Sequence, residues 1–159
     1  MDQVTPPVTA RPVSARPVIL CLSAAGLALA GKLAKALDAD IHGHAVRCPE
    51  APHHFGKARA HIADLFCSGR PIIGVCAAGI LIRAVAPHLK HKSTDAPVIA
   101  VAESGRFVVP LIGGHHGAIT LARRVSACLD ADLALTTAGD GRWHLSLDEP
   151  PQGWRLANA

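Results

Sequence analysis

The sequence predicts an α/β fold: a three-layer, mainly parallel open sheet of the Rossmann-like kind, with helices on both faces and one hairpin. Three observations predict it. From Pro17 to Asp140, short apolar runs alternate with amphipathic stretches of about ten residues, the pattern of βαβ units. The runs pass into helical stretches through small or glycine-rich links such as Ser23-Ala24-Ala25-Gly26 and Cys76-Ala77-Ala78-Gly79. Late in the chain, Glu103-Ser104-Gly105-Arg106 sits between two apolar runs as a hairpin turn signal.

In chain order, residues 1–16 hold three prolines and no hydrophobic period, and read as a disordered leader. Residues 17–140 form the α/β domain. Val18–Leu22 is a strand, and a helix runs from about Gly26 to Leu37. Asp40–Ala45 is a weaker strand, followed by a loop from Arg47 to Phe55. A helix over Lys57–Cys67 stops at Ser68-Gly69. Ile72–Val75 is a strand and Ile80–Leu89 a helix, which the internal Pro87 ends or kinks. Val98–Ala102 and Phe107–Ile112 make the hairpin. A helix over Ala118–Cys128 and a strand over Leu133–Thr136 close the alternation. Residues 141–159 differ in character: His144–Leu147 can add an edge strand, and Pro150-Pro151-Gln152-Gly153 opens a linker-like tail.

Composition narrows the function. Half of the 159 residues are hydrophobic but only 3% are aromatic, with no Tyr, so the core is aliphatic. Single-strand nucleic-acid binding, which needs aromatic platforms, is excluded. The net charge of +4 comes from scattered basic residues, favouring anionic small molecules over nucleic acid. Five cysteines without a Cys-x-x-Cys pair read as free thiols of a reduced, cytoplasmic protein. Arg11, Arg16 and the apolar run Val18–Ala30 imitate a secretory signal. The break at Gly26 and the amphipathic continuation Lys32–Leu37 favour a strand and helix instead. No run reaches the ~18 apolar residues of a membrane span, so no membrane partner is expected.

In an open parallel sheet, ligands bind beyond the carboxyl ends of the strands. The segments Ser23–Gly26, Cys76–Gly79, Gly113–Gly117 and Thr136–Asp140 are assigned to that edge, where backbone N–H groups can cradle an anion. Within Gly113-Gly114-His115-His116-Gly117, His115 is the leading acid–base candidate. The segment lacks the Gly-Lys-Ser/Thr of a phosphate loop, which disfavours nucleotide hydrolysis. Asp140 and Glu103 are candidate acids. Ala78, Gly79, Gly113, Gly114, Gly117, Thr136 and Thr137 are candidate ligand contacts, and Arg83 and Lys92 candidate partners for ligand carboxylates. Cys76 lacks an assignable base, so nucleophilic catalysis is a minority reading. His42 and His44 share a strand face, yet no carboxylate or thiolate completes a metal-binding spacing.

The stretch Ile72–Asp140 resembles the amino-terminal domain family of the cobalamin-biosynthesis protein CbiG, cobalt-precorrin-5A hydrolase. The resemblance rests on Gly74-Val75-Cys76-Ala77-Ala78-Gly79-Ile80-Leu81-Ile82-Arg83, Ala86-Pro87 and Leu89-Lys90-His91-Lys92. It runs on through Asp95-Ala96-Pro97-Val98-Ile99-Ala100-Val101, Gly105-Arg106-Phe107-Val108-Val109-Pro110-Leu111, Gly114-His115-His116-Gly117, Leu121-Ala122-Arg123-Arg124 and Thr136-Thr137-Ala138-Gly139-Asp140. Gly153–Asn158 resembles the join to the family's next segment. The family often carries Ser/Thr-Gly where this chain has Ala77-Ala78-Gly79.

The resemblance implies hydrolytic opening of the ring-A lactone of a precorrin-5A-type corrinoid, with release of acetaldehyde. In a mechanism consistent with both the residue pattern and the resemblance, His115 is the general base and the N–H groups around Gly113 and Gly114 hold the oxyanion. Asp140 or Glu103 orients the histidine or assists departure of the C20 fragment. Arg83 and Lys92 meet the tetrapyrrole's acetates and propionates. The protein needs no cofactor of its own, because any cobalt belongs to the substrate. Such a domain is also found fused to the precorrin-3B methyltransferase. The alternative implied is therefore a non-catalytic corrinoid-binding module partnering that enzyme. A third reading is metal handling through His115, His42 and His44.

Overall fold

The computed structural model of the protein describes residues 15–136. Three strands at its centre are apolar at every position or nearly so: β1 (Val18–Cys21), β4 (Ile72–Val75) and β5 (Val98–Val101), all fully buried. A strand read this way has no solvent face and must be covered on both sides. The flanking strands β2 (Asp40–His44), β3 (His53–Phe55), β6 (Phe107–Ile112) and β7 (Asp132–Leu133) are only partly buried. The sheet order is β3-β2-β1-β4-β5-β6-β7, parallel throughout except for the antiparallel pair β5/β6.

Four helices supply the covers. α1 (Ala25–Leu37) buries Gly26, Ala30, Leu33 and Leu37, one stripe at helical spacing. It joins α4 (Ala118–Leu129) on one face over Ile19, Ile73, Ile99 and Val125. α2 (Ala58–Cys67) and α3 (Ala78–Val85) cover the other face over Leu20, Ile62, Ile72, Leu81 and Val98. Both α1 and α4 end on an aspartate in the left-handed region, Asp38 (φ 51°) and Asp130 (φ 55°), whose N–H bonds back to the last turn. Pro87 ends α3, and the chain passes into a short 3₁₀ turn, Ala86–His88. The three-layer α/β architecture with one hairpin is thus the one expected. Three elements differ from the sequence-based assignment. The helix expected over Ile80–Leu89 spans Ala78–Val85, with the 3₁₀ turn after it. His53–Phe55, expected as loop, is the edge strand β3, and the strand expected over Leu133–Thr136 is confined to Asp132–Leu133. The expected leader up to Ser14, the strand His144–Leu147 and the tail lie outside the described residues.

The hairpin has a consequence that corrects one expectation. Strand β6 runs opposite to β5, with Val101 beside Val108 and Val98 beside Ile112. The residues after Ile112 therefore emerge at the amino-terminal edge of the parallel strands. Gly113 lies against the loop that enters β5: a Cβ there would stand 2.9 Å from Pro97 Cα and 3.0 Å from the Asp95 carbonyl oxygen. Strand β7 runs parallel to β6 and carries Thr136 the same way. Of the four segments assigned to the carboxyl edge, Ser23–Gly26 and Cys76–Gly79 lie there, whereas Gly113–Gly117 and Thr136 lie at the opposite edge. The two edges are separated by the length of a strand, about 15 Å at ~3.3 Å per residue.

Candidate active site

Strand order reverses between β1 and β4. From β1 the chain moves outward through α1 to β2. From β3 it crosses back through α2 to β4 on the other side. The carboxyl ends of β1 and β4 therefore diverge into loops on opposite faces and leave a crevice, the usual ligand position in open α/β sheets. A cleft of ≈ 390 Å³ opens there, lined by Leu22, Ser23, Arg47, Cys76, Ala77, Ile80, Ala102 and Glu103.

Each lining residue follows from local structure. Ser23 is the bend residue between β1 and α1, and Glu103 opens the turn from β5 to β6, where the Gly105 N–H bonds to the Ala102 carbonyl at 2.8 Å. The Ser23 hydroxyl donates a hydrogen bond to Glu103 Oε1 across the cleft mouth. Ala77 sits in extended conformation before the first turn of α3, with no side chain capping that helix. The N–H groups of Ala78 and Gly79 thus have no intrahelical acceptor and carry the positive end of the helix dipole. Arg47 stands on the loop after β2, which is folded down by two buried residues: Cys48, whose thiol donates to the Cys21 carbonyl at 3.4 Å, and Ala51. Gly43 makes this possible, since a Cβ there would lie 2.4 Å from the Ala51 Cβ and 2.7 Å from the Cys48 Cβ.

Burial, with the nearby Glu103 charge, pushes the Cys76 thiol up to about 11. Burial also raises Cys21 to about 12, with Cys48, Cys76 and Glu103 adding to it. Both stay protonated at neutral pH, so neither is an activated nucleophile. All five cysteines are free, and Cys67 is exposed.

The expected site residues divide between the two edges. Glu103, Ala78 and Gly79 are at or beside the cleft, and Arg83 bends back to donate to the Gly79 carbonyl at 3.4 Å. At the opposite edge, Gly113 (φ 79°) and Gly117 (φ 93°) bracket a 3₁₀ turn, Gly114–His116, that leads into α4; His115 lies in this turn. The N–H groups of His116 and Ala118 both bond to the Gly113 carbonyl, at 2.8 and 3.0 Å, so the turn forms the entrance of the helix. Lys92 is exposed in the loop before β5, which the buried Asp95 carboxylate holds by accepting from the Lys90 and His91 N–H groups. Glu103 and His115 are therefore at opposite ends of the sheet, and Glu103 cannot orient that histidine. Thr137 and Asp140 lie outside the described residues.

The expected pair His42 and His44 is not what gathers on β2. His42 meets His61 of α2, Nδ1 to Nε2 at 2.8 Å, with the His53 ring centroid 5.0 Å away. His44 instead sets its ring edge-on to Phe55. No group of three or more His, Cys, Asp or Glu among the described residues is arranged to hold a metal ion. No helix among them is long and apolar enough to cross a membrane. Sequence reasoning missed Ser23 as an individual contact and missed Arg47 altogether. Applying the switch-point rule to β1 and β4 would have found Ser23; nothing local marks Arg47 as a cleft residue.

The profile of the family described as cobalamin synthesis G N-terminal matches residues 60–140, just over half of the chain. The chain belongs to this family. Among relatives of this cobalamin synthesis G N-terminal domain, the cobalt-precorrin-5A hydrolase of Salmonella typhimurium (strain LT2) is 33% identical over 132 residues, 82% of this chain and 38% of that protein. The cobalt-precorrin-5A hydrolase of Priestia megaterium is 35% identical over 94 residues, 58% of this chain and 25% of that protein. The chain thus spans a quarter to about two fifths of their length. A crystal structure of a cobalamin biosynthesis protein G homolog from Sulfolobus solfataricus shares the fold, with a TM-score of 0.58 at 22% identity over 76% of this chain and 36% of that one.

Proposed function

We propose that this domain takes part in cobalamin biosynthesis by opening the ring-A lactone of a precorrin-5A-type corrinoid, with release of acetaldehyde. The observation that carries the reading is the Ser23–Glu103 hydrogen bond at the mouth of the switch-point cleft, in a chain whose relatives are named cobalt-precorrin-5A hydrolases.

In this mechanism Glu103 is the general base. A water oxygen bonds to the lactone carbonyl carbon while its proton passes to the Glu103 carboxylate. The resulting oxyanion is held by the Ala78 and Gly79 N–H groups at the start of α3. The intermediate collapses with rupture of the ring C–O bond, and the departing oxygen takes the proton back from Glu103. In the opened product the freed hydroxyl oxygen becomes the aldehyde C=O, its proton passing to the Glu103 carboxylate. The carbon–carbon bond to the macrocycle breaks in the same step, and its electron pair is taken up by the conjugated ring. Ser23 fixes the carboxylate in place. Glu103 takes the role expected of His115 because it borders the cleft and His115 belongs to the other edge. The protein supplies no metal in this scheme; cobalt, where present, arrives with the substrate.

The test is incubation of the purified chain with cobalt-precorrin-5A, following acetaldehyde and the corrinoid spectrum. Acetaldehyde release supports the reading, and an unchanged substrate opposes it. The loop entering α3 brings Ala77 to the cleft wall and no hydroxyl, which favours a second reading, a non-catalytic corrinoid-binding module for a partner such as the precorrin-3B methyltransferase. Binding without turnover is its signature.

A further inference from the structure

We infer that Arg47 is the residue by which the cleft recognises its ligand, taking a peripheral carboxylate of an anionic corrinoid while the apolar wall accepts the macrocycle edge. The inference rests on the corrinoid reading above and adds to it the group that selects the substrate's charge.

Arg47 is the cation among the residues that line the cleft, which it shares with the apolar Leu22, Ala77, Ile80 and Ala102 and the polar Ser23 and Glu103. Ion pairs among the described residues engage Arg16, Arg70 and Arg106, for example, and none of those observed involves Arg47. Glu103 is bonded to Ser23 instead, which leaves the guanidinium of Arg47 unmatched at the rim. A guanidinium presents a planar fork that matches a carboxylate with two parallel hydrogen bonds.

The loop is also preorganised, which limits the entropy lost on binding. The Arg47 N–H bonds to the His44 carbonyl at 3.0 Å, the Cys48 N–H to the same oxygen at 2.7 Å, and the Cys48 side chain is buried beneath. Ile80, 39% exposed, adds apolar surface to the cleft wall, and Val46, the chain neighbour of Arg47 in the loop, is 82% exposed. An anionic carboxylate on a large apolar ring matches this pairing. Arg83 and Lys92, the cations expected from sequence to serve this role, are less suited: one is turned back on its own helix and the other stands at the far edge.

The probes are cobyrinic acid, with free peripheral carboxylates, and its heptamethyl ester, titrated into the purified chain by corrinoid absorbance. The wild-type chain is expected to bind the acid more tightly than the ester. Arg47→Ala should weaken the acid by roughly 10- to 100-fold, the size of a charge-assisted hydrogen bond, and leave ester binding within about threefold. Arg47→Lys should recover part of the loss, since it restores the charge without the fork. Arg124→Ala, a loss of the same charge from the exposed side of α4, should bind as wild type. Melting temperatures identify any variant that fails to fold, and the lysine variant then decides. Equal affinity of Arg47→Ala and wild type for the acid overturns the inference. So does an equal loss for acid and ester, or a wild-type chain that binds neither. Acetaldehyde release is scored separately: acid-selective binding through Arg47 without turnover upholds this inference while opposing the hydrolytic reading.

Discussion

Ser23 and Glu103 are 80 residues apart in sequence, yet the serine hydroxyl donates directly to the glutamate carboxylate where the loops after β1 and β5 meet. That contact joins two residues that line the cleft and fixes the orientation of its acid. In the proposed reaction Ser23 is a positioning residue and Glu103 the group that moves the proton. Ser23→Ala should lower kcat for acetaldehyde release by about tenfold with KM nearly unchanged, and Ser23→Thr should restore most of it. A rise in KM at constant kcat would assign the serine to substrate binding instead.

Acid should destabilise the fold through the histidine pair under α2. Burial, with His61 and His53 nearby, lowers His42 to about 4, and burial also lowers His61. In the unfolded chain these groups take up protons near pH 6.5, whereas the folded chain resists until lower pH. Their contribution is complete above about pH 6.5 and is lost as pH falls from there toward 4. For the half-buried rings we expect on the order of 1–2 kcal/mol, discounted for solvent screening. Asp40, held below the ordinary carboxylate range chiefly by its hydrogen bond from Arg70, adds a further loss at lower pH. Urea midpoints from pH 8 to 4 measure the slope, and His42→Phe should flatten its upper part.

Gly43 tests the support beneath the Arg47 loop. The Cβ of Gly43→Ala would fall 2.4 Å from Ala51 and 2.7 Å from Cys48, so either the loop or the strand must move. Overpacking of this kind costs roughly 1–3 kcal/mol. Thermal unfolding should show a drop of several degrees, accompanied by weaker binding of cobyrinic acid, because the displaced loop carries Arg47.

Thiol chemistry separates the cysteines. Cys67 is exposed, whereas Cys21, Cys48 and Cys76 are buried, the first and last with thiols raised far above neutrality. An aromatic disulfide reagent at pH 8 should modify Cys67 first. The three buried thiols should react only on unfolding; rapid reaction of Cys76 in the native chain would mean an activated thiol in the cleft.

Much of this fold is legible in the sequence because apolar runs such as Ile72–Val75 and stripes such as Ala30, Leu33 and Leu37 are local signals. The turn at Glu103–Arg106 is local too, and it announces the hairpin. Its consequence for direction is global. Reversing β6 sends Gly113–Gly117 to the far edge, and no feature within that glycine-rich segment records which edge it occupies. Strand β3 escaped notice because His53 and His54 are exposed and polar, and its three residues pair only with β2. Arg47 escaped because its place depends on Cys48 and Ala51 folding the loop inward, a matter of tertiary packing.

The cleft at the carboxyl edge, with Glu103 as its base, is tested most directly by single-turnover acetaldehyde release from cobalt-precorrin-5A, comparing wild type, Glu103→Gln and His115→Ala at matched folding. The account predicts a loss of about 100-fold or more in Glu103→Gln, the scale of a lost general base, and a substantially smaller change in His115→Ala. Full activity of Glu103→Gln alongside an inactive His115→Ala would contradict it and move the chemistry to the opposite edge of the sheet.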